Sequence, residues 1–163
     1  MANIALMLVA LLLVVGSGVL WKNGASATPG DSRAEQLSRQ YTAVTRAARE
    51  ETLAFLTVDY RNMDPLIAKV VAGATGTFRQ QYSQAKANLK TSAQSSLAVS
   101  SGKVLEVGIG DISGSNAVAF VAADSQVSNR STKGKAQPRY YRLKLTMTRE
   151  GGTWRTSNLQ FVG

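Results

Sequence analysis

The segment FLTVDYRNMD, Phe55 to Asp64, places two carboxylates, a phenol and a guanidinium within ten positions. Those groups could move protons, because a carboxylate becomes a general acid or base when a pocket shifts its pKa and holds it beside a reacting group. Each residue also has a local job open to it. Phe55 and Val58 can complete an apolar helical stripe, Asp64 before Pro65 can cap a following helix, and Tyr60 can pack its ring with its hydroxyl toward solvent or backbone. Asp59 and Arg61 are left over, and Arg79, further along the chain, is the expected partner of Asp59 in an ion pair across the turn.

The rest of the chain narrows the chemistry. Its 163 residues include no histidine and no cysteine. That removes the Ser-His and Cys-His nucleophile arrangements, the commonest general base at neutral pH, thiolate-zinc clusters and nearly every His-containing metal site. No catalytic residue, cofactor or metal is expected. An apolar fraction of 44% suits one globular core, and the length leaves room for a single domain with an appendage.

The net charge is +9 and the pI near 10.2. The basic excess belongs to the C-terminal third, where Arg130, Lys133, Lys135, Arg139, Arg142, Lys144, Arg149 and Arg155 face only Glu150. No helix-turn-helix, zinc or RNP-like aromatic motif accompanies it, so nucleic acid is not the expected partner. A solvated basic face is the plain reading. Contact with anionic headgroups or envelope polymers, or docking of an acidic partner, are the functional ones, with Arg130, Lys133, Lys135, Arg139, Arg142 and Lys144 as candidates.

Ala2 to Trp21 carries no charge, and a helix of twenty residues spans about 30 Å, the thickness of a bilayer core. Trp21 and Lys22 suit the headgroup region. Residues 1–22 therefore read as a transmembrane anchor. The alternative is a signal peptide cleaved after the small-x-small site Ala25-Ser26-Ala27, against which stands the lack of any basic residue before the apolar run. Residues 23–32 have linker composition, and the folded domain is expected over 33–163.

Ser32-Arg33-Ala34-Glu35 fits a capping box, followed by a long helix whose stripe is Leu37, Tyr41, Val44, Ala48, Phe55 and Val58. Asp64-Pro65 opens a second helix packed through Leu66, Ile67, Val70 and Val71, and Thr77-Phe78-Arg79-Gln80 opens a third that runs to about Thr91. After Ser96 the period changes to two. Leu105, Val107 and Ile109 alternate, and residues 117–123 form a small-apolar run expected to be buried on much of both faces. Tyr141, Leu143, Leu145 and Met147 alternate with polar residues. Glu150-Gly151-Gly152 signals a tight hairpin, and a parity change on the last strand predicts a bulge or bend near Ser157-Asn158. Three helices before a four-strand antiparallel meander argue for α+β, with the helices on one face of a curved sheet.

FLTVDYRNMD, ATGTFRQQY and PRYYRLKLTMTREGGTWRTSNLQFV, in that order behind one apolar span, resemble the signature blocks of Mce-associated membrane proteins. The resemblance covers roughly residues 34–162. It implies an NTF2-like cone anchored by one span in the cytoplasmic membrane and facing outside, similar in architecture to periplasmic domains of type IV secretion assembly proteins. In function it implies a non-enzymatic accessory subunit that binds partners of an Mce-type lipid transport complex. A module binding a lipid or small ligand inside the cone is the alternative. Other proteins on this scaffold use a carboxylate at the cone mouth as a general base, the role that would fall to Asp59, but the second polar partner, often a histidine, is missing here.

Overall fold

The computed structural model describes residues 29–162. The apolar run Ala2–Trp21 lies outside them, and among the described residues no helix is long and apolar enough to cross a membrane. The elements are α1 (Pro29–Leu56), β1 (Val58–Asp59), α2 (Met63–Gly73), α3 (Gly76–Ser96), β2 (Val99–Ser113), β3 (Asn116–Ser128), β4 (Gln137–Glu150) and β5 (Thr153–Phe161). Two units divide inside α1, and the second, beginning at Arg39, carries the sheet.

α1 begins at Pro29, whose fixed φ suits a first helical position, so Ser32 lies inside the helix and not at its cap. Within the second unit, Val44, Ala48, Thr52 and Leu56 recur every fourth residue and are buried. Val44, Ala48 and Leu56 pack on the inner sheet face. Leu37 and Tyr41, expected on the same stripe, stay exposed.

The sheet has five antiparallel strands in chain order, one more than the sequence suggests. The addition is β1, which pairs Val58 with Ser100 and Asp59 with Val99. Two residues are too few to show a period, so Val58, expected on the helical stripe, starts the sheet instead. The inner face carries Ala117, Ala119, Val121 and Ala123 of β3 with Leu143, Leu145 and Met147 of β4, all buried. The other face of β3 is not closed off: Val118 and Ala122 are half-buried and Phe120 is exposed.

Bulges set the phase of β2. Its register steps from Val104↔Ala123 to Glu106↔Ala122 and from Ile109↔Ala119 to Asp111↔Val118, leaving Leu105 and Gly110 as extra residues. Each extra residue flips the side-chain parity, so Val104, Val107, Ile109 and Ile112 share the inner face while Leu105, expected to join them, is turned out and 49% exposed. On β5 the step from Met147↔Thr156 to Thr146↔Asn158 makes Ser157 the extra residue, at the expected bend. Gly151 and Gly152, at φ +55° and +83°, form the two-residue turn that this dipeptide predicts.

The helix caps differ from expectation. Asn62 precedes α2 and Thr75 precedes α3, and neither makes a side-chain cap hydrogen bond. Asp64 sits in the first turn of α2 and accepts a hydrogen bond from Lys90 Nζ at 2.7 Å, while the Thr75 hydroxyl donates to Glu150 Oε1 at 2.6 Å. α3 extends to Ser96, past the expected end near Thr91, and closes with Leu97 at φ 54°. The Ala98 N–H donates to the Ala93 carbonyl at 2.9 Å and the Leu97 N–H to that of Gln94 at 3.3 Å, a Schellman arrangement. α2 and α3 share a second small core of Met63, Ile67 and Ala93.

Gly102 lies under the end of α1, where an added Cβ would stand 2.6 Å from Leu56 Cβ, whereas one at Gly108 would meet nothing within 4 Å. Gly102→Ala is expected to lower unfolding free energy by about 1–3 kcal/mol through overpacking, and Gly108→Ala to stay within about 0.5 kcal/mol of the parent. Urea unfolding midpoints of the two variants check this.

Candidate functional site

In the structure FLTVDYRNMD forms the joint between α1 and α2. Arg61 grips Asp59 with a fork, Nε to Oδ1 and Nη2 to Oδ2, both 2.8 Å, and the Arg61 N–H donates to Oδ1 at 3.0 Å. The Asn62 N–H donates to the Asp59 carbonyl at 2.9 Å and the Tyr60 N–H to that of Ala98 at 3.0 Å. These bonds reverse the chain between α1 and α2. The hydrogen bonds from Arg61 hold the Asp59 carboxyl below the usual carboxylate range, which suits a clamp better than a base. The expected Asp59–Arg79 pair gives way to this local one. Arg79 lies in the first turn of α3, where its charge helps lower the pKa of Glu150, after the hydrogen bonds from Thr75 and Arg155.

The carboxyl whose pKa is raised lies elsewhere. Glu51, on the buried side of α1, is 3% exposed, and its Oε1 has no hydrogen-bond partner among the described residues. Burial pushes its pKa up to about 8. Gly73 at the end of α2 faces it so closely that a Cβ there would run into the Glu51 carboxyl. Among the described residues the Thr52 and Thr156 hydroxyls are also buried without hydrogen-bond partners. Tyr82 on α3 has a raised pKa, from burial first and the Glu51 charge second. Beside Glu51, a cleft of about 210 Å³ opens between α1, α2 and β5, with Glu50, Lys69, Trp154 and Arg155 on its walls. The sequence held a signal for this residue: the stripe Val44, Ala48, Phe55 has a vacant place at 51, and a glutamate fills it.

The six basic candidates do not form one surface. The Arg130 N–H and Nε donate to the Ser96 and Ser95 carbonyls at 2.8 and 2.7 Å, so this cation caps the C-terminus of α3. Lys133 and Lys135 lie in a loop closed by bonds around Asn129 and Thr132. Arg139 has the parity of Tyr141 and Leu143. Only Arg142 and Lys144 stand on the outer sheet face, paired in register with Ala122 and Phe120. There they join three exposed apolar side chains, Leu105, Phe120 at 46% and Tyr140 at 78%. Phe120 lies over Gly110, whose added Cβ would be 2.8 Å from the ring.

Helices on one face of a curved antiparallel meander define an NTF2-like α+β domain, and solved structures share it. An IcmL-like type IV secretion system protein from Legionella pneumophila matches with a TM-score of 0.58 at 15% identity, over 72% of this chain and 88% of that one. The periplasmic domain of DotI matches at 0.56 and 14%, over 74% and 94%. An Ntf2-like protein involved in plasmid conjugation matches at 0.52 and 9%, over 76% and 49%. The chain belongs to the family described as Uncharacterized protein Rv1363c/MT1408-like, which matches residues 1–163. The Mycobacterium tuberculosis protein Rv1363c is 30% identical over 129 residues, 79% of this chain and 49% of the relative, so the chain spans about half that relative's length.

The raised Glu51 pKa fixes the sign of a pH effect. Between its ordinary value of 4.5 and about 8, the unfolded chain ionises this carboxyl and the folded chain does not. Stability from this group therefore falls as pH rises through that window and levels off above it. Glu51→Gln is expected to unfold like the parent near pH 4.5 and to be more stable than it by a few kcal/mol, to order of magnitude, near pH 8. Urea midpoints of both proteins across the window measure the difference, in which the other titrating groups cancel.

Proposed function

We propose that this protein is a non-enzymatic accessory subunit of an Mce-type lipid transport complex in the cell envelope. In this reading Ala2–Trp21 anchors it in the cytoplasmic membrane, the NTF2-like domain faces outside, and the outer sheet face holds a partner subunit. The observation that carries the reading is that face: Leu105, Phe120 and Tyr140 expose apolar surface beside Arg142 and Lys144, a composition that fits a protein partner with apolar and acidic side chains. The resemblance of the three sequence blocks to Mce-associated proteins supports the choice of complex. The fold shared with the periplasmic domain of DotI supports the outward placement.

The alternative, a lipid or small ligand inside the cone, finds less support, because aromatic rings pack together where α1, α3, β4 and β5 meet. Phe55 has Phe78, Tyr82 and Phe161 around it at centroid distances of 6.4, 6.3 and 6.1 Å, and Phe161 meets Tyr141 at 6.1 Å.

Detergent-solubilised full-length protein, purified from its native membranes and analysed by mass spectrometry for protein and lipid, is expected to bring down Mce permease or substrate-binding subunits in stoichiometric amount. A Phe120→Asp, Arg142→Glu variant, altered only at exposed positions, is expected to lose them. Recovery of the protein alone, or with a lipid only, would overturn the accessory reading, and undiminished recovery by the variant would move docking off this face.

A further inference from the structure

We propose that the outer sheet face receives a short amphipathic helix of its partner, lying along β3 with acidic residues over β4 and basic residues over β2. Its docking rests on the role given to that face above, and only its shape and charge order are new.

Register places the charges. Glu106, Ala122 and Arg142 stand in one row across β2, β3 and β4, and Asp111, Val118 and Thr146 stand in another, four residues along β3. Between them lies the row of Gly108, Phe120 and Lys144. Alternate residues of a strand share a face, so all three rows point away from the side on which Ala119 and Val121 are buried. The face is therefore striped, with an acidic bank on β2, an apolar floor on β3 and a basic bank on β4. The stripes end at the next row, where Lys103, Asp124 and Tyr140 stand together.

The banks do not neutralise each other. Among the described residues Glu106, Asp111, Arg142 and Lys144 form no ion pair, and Glu106 accepts the Val107 N–H at 3.2 Å. β3 keeps the banks two strand spacings apart, about 9.6 Å, which is close to the diameter of about 10 Å of a helix with its side chains. The floor is also cleared for one. Phe120 lies over Gly110 instead of standing in the lane, and at Gly108 an added Cβ would meet nothing within 4 Å. Two depressions share Ala122 and Arg142: one of about 230 Å³ reaches Phe120, and the other, about 320 Å³, reaches Leu105 and Tyr140. Each receives an apolar side chain of the helix.

Arg142 and Lys144 are two strand residues apart, about 7 Å, which a pair of acids at i and i+4 of a helix matches at about 6 Å. Glu106 and Asp111 are level with residues four apart on β3, about 14 Å, a span that basic residues at i and i+7 reach with their long stems. Reversing the helix would exchange its flanks, so the charge order also selects its direction. Other occupants fit less well. An extended segment is too narrow to meet both banks, and its own peptide groups would go unpaired on a face whose strands are already bonded to each other. The apolar run Ala2–Trp21 carries no charge and would leave both banks unanswered. A second copy, placed so that each β2 lies over the other's β4, would set Asp124 against its own counterpart.

Photo-cross-linking of the full-length protein in its native membranes, with benzoylphenylalanine at position 120, tests the proposal. The expected cross-link joins a helix with acids along one flank of its apolar stripe and lysines or arginines along the other. Glu106→Lys with Asp111→Lys, both at exposed positions, is expected to lower the yield about tenfold, and exchanging the basic flank of the captured helix for acids to restore it. A second copy, an extended segment, a helix with acids on both flanks, or no protein at all in the cross-link would overturn the proposal. So would an unchanged yield from the variant, or an exchange that restores nothing. Mce subunits captured through another shape would sink the helix alone, and such a helix captured from an unrelated protein would sink the choice of complex alone.

Discussion

The closeness of Leu56 to β2 governs much of this domain. The last residue of α1 rests where the strand has no side chain, at Gly102, and the chain leaves the helix there, with the Thr57 hydroxyl bonded back to the Leu53 carbonyl at 2.6 Å. Because helix and strand approach at that point, the next residues fall beside β2 and add β1 to its edge. The Asp59–Arg61 turn then aims α2 back along the helix layer. A side chain at 102 would push the two layers apart. The burial of Val44 and Ala48 further up α1, and of Glu51 between α1 and α2, depends on their staying together.

What was legible in the sequence followed from strong periods and strong turn chemistry. The alternation Leu143, Leu145, Met147 became the sealed inner face of β4. Gly151-Gly152 became the tight turn that only positive φ allows, and the parity conflict between Trp154 and Leu159 became the bulge at Ser157. What was not legible depended on contacts between elements. Nothing near Leu105 announces that β2 takes an extra residue, since the bulge is a property of the pairing with β3. Asp64 and Thr77 have the right chemistry for caps, but Asp64 is drawn to Lys90 on α3, and α3 begins at Gly76, behind Thr75, whose hydroxyl is drawn to Glu150 on β4. Glu51 was hidden for a different reason: a charged residue between Ala48 and Phe55 reads as solvent-facing unless its place on the stripe is counted.

The basic excess shows how little a net charge says about a surface. Nineteen lysines and arginines against ten acidic residues give +9, yet Arg130 closes a helix end and Arg61 clamps a turn, while Lys90 answers Asp64. Once these local engagements are set aside, Arg142 and Lys144 are the two of the six candidate cations that face outward beside exposed apolar side chains. The composition there is mixed, with Glu106 and Asp111 on β2, across β3, and that mixture discriminates among partners in a way a uniform cationic field would not.

β2 is a strand of fifteen residues covered on its free side by a partner of only two. Among the described residues no strand pairs with its outer margin from Ser101 onward, which leaves a row of peptide groups of the kind on which another extended chain can add itself. The two bulges interrupt that row at Leu105 and Gly110, the Arg49 guanidinium occupies the Val104 carbonyl at 3.2 Å, and Lys103 and Asp111 place charges along it. A straight, regular edge would let encounters between copies nucleate fibrils. The irregularities that set the side-chain phase of β2 thus also keep the sheet finite.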